Sequence, residues 1–385
     1  MDKSFNRSRY LDSKKKSIQK RPQYKYLYLI SETSCNFSCK YCVYDGEIKR
    51  SSAGGARRMS DEVAKKAVLQ FDEVSNADRV QGRYIVYYGG EPLLNFPLIK
   101  TMCDFVESER LNFKTTIMTN GSLINEDMIE TFDKYRVHLA FSIDGNQIHH
   151  DGMRVDNSLN PTFNKVVSNF KRISSLGIPV SVSCTLHANN YRELPYIIDY
   201  FHNELNVRNL GFNIVHGKHG KELYVEDVTQ CIVKCFHKLI EYKMYEGRLM
   251  ERVKSFANSS FFLRNCASYG RKYVVDPDGR VGPCHAFAGD SNCFDNNVDQ
   301  SAQEILNSTT LAAWNYRSVL DVEECLSCPA IGLCGGGCAY NSFRESGTIF
   351  AKDSGICKYA NTILEWLLQE ARENIFKEVI GGDSR

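Results

Sequence analysis

The chain has no run of about eighteen apolar residues, so no segment reads as a membrane-spanning helix. It also lacks an excess of either charge. Lys and Arg total 48 against 46 Asp and Glu, and the net charge of +2 gives no general attraction to nucleic acid or to an acidic membrane surface. The first residues, MDKSFNRSRYLDSKKKSIQKRPQ, lack the apolar centre of a secretory signal. The expected compartment is therefore the cytoplasm, where thiols stay reduced, and 15 cysteines do not read as a disulfide scaffold. What the N-terminus does hold is positive charge, eight Lys or Arg against two Asp. A solvated, loosely held arm over 1–24 is expected, or one that meets an acidic partner or peptide leader. With 385 residues, 43% apolar and 24% charged, the chain has room for one large α/β domain and a smaller one.

Cysteine is plentiful, and its spacing is informative. Cys35, Cys39 and Cys42 form a CxxxCxxC run after the apolar segment 26–30. Three thiolates can hold three irons of a four-iron, four-sulfur cluster and leave the fourth iron open, which suits chemistry better than electron transfer. Zinc binding, or cysteines that merely lie near one another, is the alternative.

The first two thirds alternate short β-rich runs with helical spacing. The expected strands are 26–31, 84–88, 115–119, 137–143, 179–186 and 209–215. Between them, Ser60 reads as an N-cap with Asp61 and Glu62 in the first turn, followed by Val63, Ala67, Phe71 and Val74 on one face. Further helices are expected at 96–110, 126–135, 163–176, 192–205 and 226–245. Such alternation predicts parallel strands with right-handed crossovers, as an open sheet or a barrel. The loops after all six strands are punctuated: Cys35 to Cys42, Gly89-Gly90-Glu91-Pro92, Asn120-Gly121, Asp144-Gly145, His187-Ala188-Asn189-Asn190 and His216-Gly217-Lys218-His219. Six such loops at the C-terminal strand ends predict one shared site.

These residues resemble the radical S-adenosylmethionine (SAM) enzymes. The cysteine loop, with Tyr41 before its last cysteine, is similar to their cluster motif. Gly89-Gly90-Glu91-Pro92 is similar to their GGEP motif, where glycines let backbone carbonyls approach SAM and Glu91 offers an anion to its ammonium. Ser142-Ile143-Asp144-Gly145 resembles the ribose-contacting stretch; by itself Asp144-Gly145 also reads as a plain turn. His149-His150-Asp151-Gly152-Met153-Arg154 resembles the HDxxR element, whose arginine meets the SAM carboxylate with its planar fork of donors. Asn120 is expected to face the cofactor. The resemblance covers roughly residues 25–220 and implies a partial (β/α)6 barrel, placed at 25–250.

The last third resembles the SPASM extension, with Cys266, Gly279 and Cys284, then Cys325, Cys328, Cys334, Cys338 and Cys357. The set is too large for one tetrahedral zinc. The resemblance implies two auxiliary four-iron clusters within 251–358: a distal one on Cys325, Cys328, Cys334 and Cys357, and one nearer the substrate on Cys266, Cys284 and Cys338. The near set is one ligand short. Cys293 could complete it, or one iron stays open. Cys103, Cys184, Cys231 and Cys235 read as packing residues. A C-terminal helix over 359–379 is expected to bury Ile363, Leu364, Leu367, Leu368 and Ile375, with a loose tail to residue 385.

Reductive cleavage of SAM to a 5′-deoxyadenosyl radical follows from the resemblance, and the auxiliary clusters would serve as an electron sink. The segment Pro283-Cys284-His285-Ala286-Phe287-Ala288-Gly289 resembles ribosomal-peptide maturases, including those that form thioether bridges in ranthipeptides. The expectation is a maturase that forms a side-chain cross-link, carbon–sulfur or carbon–carbon, in a precursor peptide. Anaerobic sulfatase maturation to formylglycine and peptide epimerisation are the alternatives. His285 stands where sulfatase maturases usually carry an aspartate base and is the candidate proton acceptor; His216 and His219 are further candidates. The implied partners are the peptide, a flavodoxin- or ferredoxin-type electron donor and a separate peptide-recognition protein. Neither nucleic acid nor membrane is expected. An electron carrier or a metal-stabilised binding module is the non-enzymatic alternative.

Overall fold

The computed structural model describes residues 7–16, 22–42, 56–76, 80–215, 223 and 225–373. Strands β1 (Tyr26–Glu32), β2 (Arg83–Gly89), β3 (Phe113–Thr119), β4 (His138–Ser142), β5 (Val180–Leu186) and β6 (Asn209–Ile214) run parallel, each beside the next in chain order. Helices Asp61–Asn76, Phe96–Ser108, Glu126–Lys134, Phe163–Ser175 and Leu194–Asn203 cross between them. This is the expected α/β architecture of an open, partial barrel. Ser60 receives the Val63 amide at the first crossover helix, and Ala67, Phe71 and Val74 lie in the core with Val63 at its edge.

The sheet continues beyond β1. After the short β7 (Tyr245–Glu246) on the far edge, β8 (Lys272–Val275) pairs parallel to β1, and β9 (Arg280–Gly282) and β10 (Asn296–Asn297) add antiparallel. The C-terminal cysteine segment is thus joined to the barrel by backbone hydrogen bonds next to the strand that leads into the first cysteine loop.

Several expectations differ from what is observed. The helix read over 226–245 is two helices, Val225–Lys234 and Phe236–Glu241, broken at Cys235. Lys243 then adopts φ 52° and turns the chain so that Tyr245–Glu246 can pair with β6. The expected boundaries at 250 and 358 fall inside helices Gly247–Ala257 and Ser354–Arg372. In the C-terminal helix Ile363 and Leu367 are buried and Leu364 is partly buried, but Leu368 is 48% exposed. Four apolar positions span a wider arc than the neighbours cover, and the last one faces outward. Ile375 and the tail lie outside the described residues. Where a loose arm was expected, Arg7–Lys16 forms a helix. Leu11 packs on the cluster around Val319 and Leu320, the Tyr10 ring meets Phe261, and Lys15 pairs with Asp321 at 3.0 Å. The rest of the arm, 1–6 and 17–21, is not described. No described helix is long and apolar enough to cross a membrane.

Candidate active site

The first cysteine loop leaves β1 at Glu32 and is clamped against the loop after β2. A Cβ on Gly89 would lie 2.1 Å from the Glu32 carbonyl oxygen, and one on Gly90 would lie 2.1 Å from that of Ser34. Both glycines are therefore required by backbone contact between the two loops, a reason closer to hand than the approach of a ligand. Glu91 is 1% exposed and already engaged: its carboxylate accepts from the Thr119 hydroxyl at 2.7 Å, the Asn120 amide at 2.7 Å and the Leu93 amide at 3.1 Å. Burial pushes its pKa up to about 7 despite these donors. Pro92 opens the 3-10 turn that Glu91 caps. Asn120 donates to Asn36 at 2.9 Å and lies 3.9 Å from the Cys35 sulfur, so it braces the cysteine loop.

Asp144, fully buried at the end of β4, gathers the other wall. It accepts from Arg154 Nε at 2.8 Å, from the Thr185 amide at 2.8 Å and from the Tyr41 hydroxyl. Burial alone would raise its pKa, but Arg154, Tyr41 and Thr185 together hold it below the usual carboxylate range. The Arg154 guanidinium lies over the Tyr41 ring and 3.8 Å from the Cys39 sulfur. Ser142, half-buried, closes β4 beside this group. The His187 ring stacks near Tyr41, with centroids 6.1 Å apart. His187 Nδ1 accepts the Asn189 amide at 3.3 Å, while buried Nε2 has no partner. Burial lowers its pKa to about 4, so the ring is neutral and Nε2–H is a donor with no acceptor. An aromatic ring, a guanidinium edge and an unsatisfied donor around one cysteine loop fit a polar cofactor such as SAM.

A second set faces this one from β8 and β9. Cys266 and Cys284 pack in one apolar cluster with Ala339, the neighbour of Cys338, and burial first, then Cys284 and Cys266, push the Cys338 thiol up to about 12. Cys293 packs in the same apolar cluster, and burial, Asp290 and Cys284 push it up to about 12. His285, next to Cys284, stacks on Tyr28 with centroids 5.6 Å apart and touches Tyr88 at 4.5 Å. Lys272 Nζ lies 3.3 Å from His285 Nδ1. An ammonium can only donate, so Nδ1 accepts and the neutral ring carries its proton on Nε2. Burial and Lys272 both keep this ring from charging. His285, read from the sequence as a proton acceptor, thus has its Nδ1 engaged by Lys272. Tyr88, just before Gly89 at the end of β2, brings its ring to the His285 ring that follows Cys284.

The third set surrounds a cavity of about 310 Å³ lined by Cys325, Cys328, Cys334 and Cys357. Burial, followed by the neighbouring thiolates, pushes Cys357 up to about 12 and Cys325 up to about 11. Buried thiols of this kind stay protonated until a metal displaces the proton. Among the described residues no three metal-binding side chains converge on a single ion, and the cavity that the four cysteines help to line is far larger than one. A multi-iron cluster fits that space. Gly335, Gly336 and Gly337 have φ of 65°, 79° and 70° and carry the chain from Cys334 in this set to Cys338 in the second. Arg317, wholly buried, donates to the Gly336 carbonyl at 2.7 Å and braces the crossing.

The sequence reading missed Lys272, Tyr28, Tyr88 and the orphan donor of His187. Tyrosines two apart on β1, Tyr26 and Tyr28, and four apart on β2, Tyr84 and Tyr88, were the available signal for an aromatic face. Cys103, Cys184 and Cys235 are buried in the core, and Cys231 packs at its edge. His216 and His219 lie outside the described residues.

Comparison with known proteins gives two family matches. The radical SAM superfamily model matches residues 30–201, and the SPASM iron–sulfur cluster-binding domain matches 266–329. Among curated proteins, the radical SAM cyclopropyl synthase TigE of Paramaledivibacter caminithermalis is 23% identical over 94% of this chain and 77% of its own. A cysteine-type anaerobic sulfatase-maturating enzyme of Clostridium novyi is 24% identical over 81% and 86%. The solved structure of anSMEcpe with bound AdoMet and Cp18Cys peptide superposes with a TM-score of 0.73 at 20% identity, covering 91% of this chain and all of that one. That likeness is one of fold.

Proposed function

Because the chain belongs to the radical SAM superfamily and carries a C-terminal SPASM domain, we propose that it is a peptide maturase that joins side chains of a ribosomally made peptide through a carbon–sulfur or carbon–carbon bond. The observation that carries this reading is the placement of Tyr88, which immediately precedes Gly89 at the end of β2 and whose ring lies 4.5 Å from that of His285, next to Cys284. A substrate held there would lie between the group that starts the radical and a group able to accept an electron. The similarity to a sulfatase-maturating enzyme agrees with a peptide or protein substrate.

SAM with a four-iron cluster supplies a 5′-deoxyadenosyl radical able to abstract hydrogen from an unactivated carbon. The chain's own residues do the rest. Cys35, Cys39 and Cys42 would hold that cluster. Arg154, set by Asp144, would orient the SAM carboxylate, Tyr41 and His187 would flank the cofactor, and Glu91 with Gly89, Gly90 and Pro92 would fix the loop against which it lies. Cys266, Cys284 and Cys338, with Cys293 or a substrate thiolate as a fourth ligand, would hold the near cluster, and Cys325, Cys328, Cys334 and Cys357 the distal one. His285 would donate Nε2–H to the peptide. A flavodoxin- or ferredoxin-type donor would supply the first electron.

Sulfatase maturation is the second reading, favoured by the relatives and opposed by His285, which offers a donor where that chemistry uses a carboxylate base. The peptide product decides between them. A formylglycine product reacts with a hydrazide probe, whereas a cross-linked peptide does not and resists fragmentation between the joined residues. Capture by hydrazide would overturn the cross-link proposal.

A further inference from the structure

Lys272 is the first residue of β8, in register with Tyr26 of β1, and all four residues of that strand are buried. Its side chain is enclosed at 4% exposure. The ammonium has two neighbours, His285 Nδ1 at 3.3 Å and the Tyr28 ring, whose centroid is 4.3 Å away. Neither carries a negative charge, and among the described residues no carboxylate pairs with it. An ammonium buried without an anion is costly, and packing alone would be served as well by an apolar side chain.

The groups that answer this charge are cysteines. His285, which the ammonium contacts, directly follows Cys284, and the Tyr28 ring packs in the apolar cluster that holds Cys284 and Cys266. We propose that Lys272 is the built-in countercharge of the near auxiliary cluster, with its ammonium offsetting the negative charge of the Cys266, Cys284 and Cys338 thiolates. A reduced cluster carries one more negative charge than an oxidised one, so a fixed neighbouring cation favours the reduced form and raises the reduction potential. Lys272 thereby eases electron acceptance by the near cluster, which suits a reaction that removes hydrogen from its substrate.

This inference rests on the assignment of Cys266, Cys284 and Cys338 as cluster ligands, and the test separates the two. The full chain, carrying Cys35→Ala, Cys39→Ala and Cys42→Ala so that only auxiliary signals remain, is reconstituted with iron and sulfide under anaerobic conditions. It is then titrated redox-potentiometrically by electron paramagnetic resonance. Lys272→Met should lower the midpoint of the near cluster and leave the distal one in place, while Lys272→Arg should hold both. An unchanged near midpoint in Lys272→Met at full iron content would overturn the proposal, as would an equal shift of both clusters. If Lys272→Met loses the near cluster, retention of that cluster by Lys272→Arg supports the charge role, and its loss from both variants refutes it. If Cys266→Ala with Cys284→Ala costs no iron, the ligand assignment itself fails. An unshifted midpoint with weakened peptide binding would assign Lys272 to a substrate carboxylate instead.

Discussion

Asp144 ties Arg154, Tyr41 and the end of β5 into one wall, and among the described residues no other carboxylate pairs with Arg154. Asp144→Asn leaves a buried guanidinium without its counter-ion, a loss of about 3–5 kcal/mol in stability. SAM affinity should fall at least about tenfold (~1.4 kcal/mol), as read by anaerobic equilibrium dialysis. Glu91 gives a pH signature of definite sign. Its pKa rises from 4.5 to about 7 in the fold, so the folded chain holds a proton that the unfolded chain has lost. Its contribution is fully present below pH 4.5 and disappears as pH rises through about 7, a swing of roughly 3 kcal/mol. In anaerobic thermal scans at pH 5 and pH 8, the difference between wild type and Glu91→Gln should change by that amount. A constant difference would mean that Glu91 is ionised throughout. Asp144 and Arg154 were legible in the sequence because they sit in short local motifs ten residues apart. Lys272 was not, because a lone lysine looks solvated until long-range pairing of β8 with β1 encloses it.

The elements show where local pattern suffices and where it stops. The six parallel strands were readable as Val-, Ile-, Tyr- and Phe-rich runs because both faces of such strands are covered. The break at Cys235 was not readable, since apolar spacing continues through it and only the turn at Lys243 redirects the chain. In the C-terminal helix, spacing identified the stripe but not its width. Ile363→Ala should therefore cost about 2–5 kcal/mol, while Leu368→Ala should stay within about 0.5 kcal/mol, both measured as shifts in thermal midpoint. At the clamp between the loops after β1 and β2, Gly90→Ala places a methyl 2.1 Å from a backbone oxygen, which no rotamer can relieve. The expected result is loss of the iron bound by Cys35, Cys39 and Cys42 while auxiliary iron is kept. Full iron with normal SAM binding would show that the loops can part without harm.

At the scale of the whole molecule, the C-terminal cysteines are part of the barrel's own sheet. Because β8 hydrogen-bonds to β1, the strand leading into the first cysteine loop and the strand carrying Lys272 move together, and Tyr28, Tyr88 and His285 fill the space between. The glycine run 335–337 then separates the near and distal sets. Cysteine spacing made the three sets countable in the sequence. Their facing arrangement depends on pairing between residues more than two hundred positions apart, which no local pattern encodes. Cys293→Ser bears on the near set: if a substrate thiolate takes the fourth position, iron content should be unchanged in the peptide-free enzyme. The central claim, an oxidative cross-link made in a peptide, is tested most directly by anaerobic mass spectrometry of a candidate precursor peptide co-expressed with this chain. A loss of two hydrogens for each modification, with fragmentation blocked between two residues, is the predicted result. An unchanged mass with deuterium taken up from solvent would contradict it and point to epimerisation.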